Sequence, residues 1–218
     1  MRAACWFVLL SALAAPGRAS AQSPITLMPE GSREGLVGVA YGEAWSRRGS
    51  NTRQAYVFPM FYMQWSSGAF IEGLSAGWKL SDEPHFQYGP ILAVSSRAQG
   101  ARGSQPTAGG FVQWRVLHDV EFLALTGVGA RDGDVKAELA LNWINTLDGD
   151  HTLVLQAATV KDEARSNRLG ARWHWRLGRR HSLMTSVSGI RLAGSSAHAP
   201  GVERRSSVAW SAGLLYSF

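Results

Sequence analysis

The sequence predicts an all-β chain, a transmembrane antiparallel up-and-down β-barrel of about twelve strands, with ten as the open alternative. Three observations predict it. Apolar and polar residues alternate over repeated segments of about ten to thirteen residues, so each segment drawn as a strand has one greasy face and one polar face. The greasy faces end again and again in Trp, Tyr or Phe, as girdles at a membrane interface do. The segment length is close to the nine to eleven tilted residues that cross a bilayer. A water-soluble sandwich also shows apolar-in, polar-out strands. It would not need its aromatics gathered at strand ends.

The first element is an export signal at residues 1–21. Met1-Arg2 is a short basic start, "AACWFVLLSALAA" is an apolar run, and Ala19-Ser20-Ala21 is a small-x-small cleavage pattern, so cleavage is expected near Ala21. The run is too short to span the bilayer as a helix. The single cysteine, Cys5, lies inside it, and residues 22–218 form one barrel domain without thiol or disulfide. The expected location is the bacterial cell outer membrane.

After a polar lead, strands are expected near 36–46, 54–65, 69–80, 85–96, 108–117, 120–130, 135–146, 151–160, 168–178, 182–192 and 206–218. Turn signals separate them, among them Asp132-Gly133 and Asp148-Gly149, since glycine takes positive φ without steric cost. Eleven segments are odd in number, whereas single-chain bacterial barrels have an even count. Either the lead near Ile25–Met28 supplies a twelfth strand, or one segment is misread. Segment 54–65, "YVFPMFYMQW", is greasy on both sides, and Pro59 cannot donate a ladder hydrogen bond.

The faces then fall into place. In 168–178, Leu169, Ala171, Trp173, Trp175 and Leu177 oppose Arg168, Arg172, His174 and Arg176. In 135–146, Val135, Ala137, Leu139, Leu141 and Trp143 oppose Lys136, Glu138, Ala140 and Asn142. In 69–80, Phe70, Leu74, Ala76, Trp78 and Leu80 share a face, with Glu72 an exception. In the last segment Trp210, Leu214, Tyr216 and Phe218 share the greasy face. Arg168, Arg172, His174, Arg176, Lys136 and Glu138 are therefore the candidates to line a lumen. Glu121, Glu138 and Glu72 are the candidate ion-pair partners of the arginines.

Chemistry is sparse. The net charge of +6 falls to +4 without Arg2 and Arg18 and is spread along the chain, so no nucleic-acid stripe is expected. There is no Gly-x-Ser-x-Gly, no His-Glu-x-x-His and no cysteine cluster. His85, His118, His151 and His181 border turns, His198 lies in a polar loop, and only His174 sits within a strand, on a face of arginines. "DGD" at 132–134 and 148–150 lacks the remaining oxygens of a calcium loop. No catalytic residue, metal or cofactor is expected, and the chain is read as not an enzyme.

The closing stretch "RLAGSSAHAPGVERRSSVAWSAGLLYSF" resembles the C-terminal signature of the MipA/OmpV family of outer-membrane proteins. Arg191-Leu192, Ala199-Pro200, Glu203-Arg204 and the Gly213, Tyr216, Phe218 ending carry the likeness. "GLVGVAYGEAW", "YVFPMFYMQW", "GAFIEGLSAGWKL" and "QYGPILAVSSR", followed by Arg97, keep the family's strand order. Two features depart from it: Ala199 stands for the family's Ser, and "VKDEARSNRLG" lacks its Tyr-rich segment. The resemblance implies an envelope scaffold that links a murein hydrolase to a murein synthase, with murein-remodelling enzymes as partners. The Phe-ended strand resembles the sorting signal read by the barrel-assembly machinery. The other expected contact is outer-membrane lipid. Alternative readings are a narrow channel favouring anions, since charged rings set pore selectivity, and a lipid-modifying barrel enzyme.

Overall fold

The computed structural model describes residues 31–45, 51–96, 104–130, 133–161, 165–198 and 202–218. The expected export signal at 1–21, the lead at Ile25–Met28, Arg97, Asp132 and Ala199-Pro200 lie outside them. Twelve antiparallel strands follow one another: β1 (Arg33–Trp45), β2 (Arg53–Trp65), β3 (Ala69–Glu72), β4 (Ser75–Trp78), β5 (Phe86–Ser96), β6 (Ser104–Arg115), β7 (Val120–Gly129), β8 (Val135–Thr146), β9 (His151–Lys161), β10 (Arg165–Arg176), β11 (His181–Leu192) and β12 (Ser206–Ser217). Each pairs with its chain neighbour, and β12 pairs with β1 to close the barrel.

The count of twelve comes from inside the segment at 69–80. It is not one strand but a hairpin, β3–β4, turning at Gly73 with φ 55. The turn switches the parity of the faces, so that Ala69 shares a face with Trp78 and Phe70 with Gly77; the alternation reads straight through it only because the inward Phe70 is itself apolar. The correction moves side chains: Phe70 is buried on the inner face with Glu72, while Leu74, Trp78 and Leu80 are exposed outside. The 148–150 turn also differs from expectation. Gly149 is not at positive φ; instead the Asp148 side chain accepts the amides of Asp150 (2.9 Å) and His151 (2.8 Å).

Closure is made at the ends of the chain's first and last strands. Leu36 to Glu43 run against Ser217 to Trp210. Gly35 and Phe218 exchange backbone hydrogen bonds of 3.2 and 3.1 Å. A Cβ at Gly35 would collide with the Phe218 ring, so the terminal aromatic lies over a residue with no side chain.

The wall is uneven in height. β3 and β4 have four residues each, beside thirteen in β2 and eleven in β5. The last bond from the hairpin to β2 runs from Gly73 N to Phe61 O (2.7 Å). Residues two apart point their backbone groups the same way, so Pro59 presents its missing N–H to that same edge. Proline stands where the ladder stops, an ordinary means of blunting an edge.

Outer faces are apolar. Val37, Val39, Val57, Leu92, Trp114, Leu139, Leu141, Leu169, Val187 and Leu214 are all exposed. Exposed Trp78, Phe86, Tyr88, Trp114, Trp143, Trp173, Trp175 and Phe218 collect toward the end that carries the 79–85, 116–119, 147–150 and 177–180 connections. His151, Trp173 and Trp175 stack there at 5.4 to 5.9 Å. Burying such a surface in water-soluble packing would require a second layer, and the described residues form none: hydrocarbon is the medium it fits.

Strand contact is tight at β6–β7, where a Cβ on Gly109 would strike the Thr126 carbonyl; at Gly189 a Cβ would meet nothing. Gly109→Val is expected to abolish the compact, heat-sensitive band that a closed barrel gives on detergent gels. Gly189→Ala is expected to keep it. Retention of that band by Gly109→Val would show that this close approach is not needed for closure.

Candidate functional site

The inner wall is where the sequence spends its polar residues. Because parity alternates, β10 turns Arg168, Arg172, His174 and Arg176 to the side opposite the exposed Leu169, Trp173 and Trp175. β8 likewise turns Lys136, Glu138, Ala140 and Asn142 away from exposed Leu139, Leu141 and Trp143. The inward row of β10 is graded: Arg168 is 3% exposed, Arg172 and His174 are half-buried, and Arg176 is exposed.

Neighbouring strands bring these groups together. Arg168 Nη1 lies 3.6 Å from Glu138 Oε1, an ion pair from β10 to β8 across β9. Arg172 feels the Glu72 carboxylate of β3, a strand on another part of the wall, and its buried Nε has no hydrogen-bond partner among the described residues. Glu121 does not serve the β10 arginines. It is 2% exposed, accepts from Gln113 Nε2 (2.7 Å) and Asn142 Nδ2 (3.3 Å), and lies 4.0 Å from Arg115. Gln156 Nε2 donates in turn to Asn142 Oδ1 (3.0 Å). On β2–β4, Lys79 Nζ and Tyr62 OH both donate to Gln64 Oε1, at 2.8 and 2.7 Å. A buried ammonium or carboxylate is tolerated only when bonded in this way.

The glutamines were missed at the sequence level. Gln64, Gln87, Gln105 and Gln113 are all buried. Each sits at an inward position of its strand, and a search for amides at alternating parity would have found them. Also unexpected is an apolar inner cluster of Ala40, Ala44, Tyr56 and Phe58, with Met60 and Ala209 against it. It answers the greasiness of both sides of 54–65: one side faces out, and the other fills the interior. Gly42 makes room for it, since a Cβ there would meet the Tyr56 hydroxyl.

The residues of the terminal strand sit on the outside. Trp210 packs edge-on against Tyr41 at 5.7 Å, and Leu214 is exposed. The Tyr216 hydroxyl accepts from Arg180 Nη1 (2.9 Å), and its ring meets His181 at 5.4 Å. Glu203, in the resemblance's acidic-basic step, accepts the Asn51 amide (2.8 Å), and Arg204 with Arg53 brackets the Trp45 ring, each at 5.0 Å. Of the histidines, His85, His118, His151 and His181 lie at the end with the aromatic girdle. His198 ends a short 3-10 helix, Gly194–His198. Among the described residues no group of three or more His, Cys, Asp or Glu is placed to hold a metal ion.

The family described as "MltA-interacting protein MipA" matches residues 37–162. Among solved structures the chain is similar to the KdgM porin, with a TM-score of 0.52 and 10% identity over 84% of this chain and 99% of that one. It is similar also to the NanC porin, with a TM-score of 0.53 and 9% identity over 83% and 98%. At such identities the likeness is one of fold. A search of the curated proteins finds no match.

Two expected outcomes follow from the geometry. Glu121→Leu leaves Gln113, Asn142 and Arg115 without their acceptor and is expected to cost about 1–3 kcal/mol. It should lower the temperature at which the compact gel band unfolds, with Glu121→Gln intermediate; an unchanged midpoint would deny the network a stabilising part. The two backbone amides, Asp150's first, hold the exposed Asp148 carboxyl below the usual carboxylate range, aided by His151. Its folded pKa is depressed, so its contribution is present above the unfolded pKa and is lost as pH falls through the folded one. The amide proton shifts of Asp150 and His151 should therefore titrate together below the ordinary aspartate range, and Asp148→Asn should remove that titration.

Proposed function

Because the chain belongs to the MltA-interacting protein MipA family and closes into a barrel of outer-membrane type, we propose that it is an outer-membrane scaffold, not an enzyme. The observation that carries this reading is the filled inner wall. Gln105, Glu121, Asn142, Arg168 and Gln64 are all at or below 4% exposure, so water scarcely reaches them. A wall where buried polar groups bond in chains, as Gln113, Glu121, Asn142 and Gln156 do, has a mechanical use more readily than a transport one. The family's printed name records an interaction with MltA. By that likeness the partners are murein-remodelling enzymes, met at the end with the girdle, where exposed Leu117, Leu147 and Leu177 accompany the turn histidines. Export with cleavage near Ala21, and delivery by the barrel-assembly machinery through Trp210, Leu214, Tyr216 and Phe218, belong to the same proposal.

A narrow passage favouring anions is the second reading, and one observation favours it: the unbonded Nε of Arg172, flanked in its strand by His174 and Arg176. Planar bilayers separate the two. The scaffold should give no steady conductance, whereas anion-selective steps removed by Arg172→Ala would establish the passage. Mild crosslinking in the native envelope should retain a lytic transglycosylase, identified by its murein-cleaving activity. Leu117→Asp with Leu147→Asp should release it. Repeated failure to retain it from intact barrel would refute the scaffold.

A further inference from the structure

The outer wall of β8 to β12 holds a concavity of about 680 Å³ that the inner-wall account does not use. Its floor is Ala157 and Gly189, small residues between the larger Leu141, Leu169 and Val208. The registers bring them side by side on one face: Leu141 opposite Ala157, Ala157 opposite Leu169, Leu169 opposite Gly189, Gly189 opposite Val208. A Cβ on Gly189 would touch nothing within 4 Å, so this part of the floor is open space and not merely a short side chain under a neighbour.

The groove changes character at one end. Two residues farther along the strands, Asn167, Arg191 and Ser206 stand opposite one another, with Thr159 donating its hydroxyl to Asn167 Oδ1 at 3.1 Å. Beyond them Lys161 and Arg165 form a cross-strand pair, both exposed. Strand and ladder spacings put Arg165 roughly 8 Å and Lys161 roughly 12 Å from Arg191. Among the described residues, the outward positions of β8 to β12 carry no carboxylate; Asp162 and Glu163, which join Lys161 to Arg165 in the sequence, lie outside the described residues. The polar end lies away from the aromatic girdle and toward the 193–205 connection, the longest in the barrel. Barrels of this type keep short turns on the periplasmic side and longer loops outside.

We propose that this groove is a binding site for a phosphorylated, acylated glycolipid of the outer leaflet. One acyl chain lies over Ala157 and Gly189, and the phosphates meet Arg191, Arg165 and Lys161. A hydrocarbon chain fits because it fills a dry gap in a lipid-facing wall. Several phosphates fit because three cations share one mouth, the pattern by which basic clusters hold anionic headgroups. The inference rests on the outer-membrane reading but not on the scaffold: loss of lipid binding leaves partner capture untouched, and the reverse.

Native mass spectrometry of detergent-purified barrel tests it, with bis-phosphorylated lipid A, its fully dephosphorylated form and phosphatidylglycerol as probes. The barrel should retain the bis-phosphorylated lipid in preference to both others. Arg191→Glu should weaken that retention about fivefold or more. Gly189→Trp, which fills the groove, should reduce phosphorylated and dephosphorylated lipid A alike. Each variant is first checked for its heat-sensitive compact band; if Gly189→Trp does not fold, Arg191→Glu carries the test. Equal retention of all three lipids, or no effect of Arg191→Glu, would overturn the proposal. So would a lipid-free dimer that Gly189→Trp dissociates, because the groove would then seat a second copy.

Discussion

In hydrocarbon a backbone N–H or C=O has no solvent to bond, and leaving one unpaired costs several kcal/mol. Every other feature of this barrel follows from that cost. It forces β12 onto β1, and it asks the chain's last residue to exchange bonds with Gly35. It also explains why the shallowest part of the wall is edged by Pro59. A residue with no N–H leaves one orphan fewer where the β3–β4 hairpin stops below its neighbours.

The same constraint, turned inward, shapes the interior. Once the greasy side of each strand faces out, the opposite side has to be dissolved in something other than water. The inner wall does this in two ways. Toward the girdle end amides and carboxylates bond in chains: Gln113, Glu121, Asn142 and Gln156 across β6 to β9, and Lys79, Gln64 and Tyr62 across β2 to β4. Toward the other end, on β1 and β2, aromatic bulk replaces hydrogen bonding, with Tyr56 and Phe58 tilted together at 5.4 Å over Ala40 and Ala44. A charged group fits this scheme when a partner is within reach, as Glu138 is for Arg168. Arg172 is held less directly, by a carboxylate farther round the wall.

Much of this was legible in the sequence, and the reason is geometric. A strand's side-chain period is two, so Trp173, Trp175 and Arg172 declare their opposite sides without knowledge of any neighbour. Pairing is different. Nothing local says that Glu121 would serve Gln113 and Asn142 while Glu138 took Arg168, because those choices depend on register between strands. The β3–β4 hairpin was hidden for a related reason: its turn switches the faces, but the inward Phe70 is apolar, so the residues from Phe70 to Leu80 looked like one greasy face and eleven alternating segments looked like eleven strands. Asp148-Gly149 predicted a turn correctly for a wrong reason, since the aspartate side chain, not the glycine's φ, supplies the fold-back.

The account stands on lipid being what the outer faces touch. The most direct measurement is fluorescence quenching of variants that keep one tryptophan each, Trp173, Trp175 or Trp210, in bilayers of phospholipid brominated at successive depths. All three should be quenched, Trp175 by shallow bromines near the 177–180 turn and Trp210 by deeper ones. Indifference of all three to every brominated lipid, with emission typical of a dry protein interior, would mean that these faces pack against protein and that the membrane barrel is wrong.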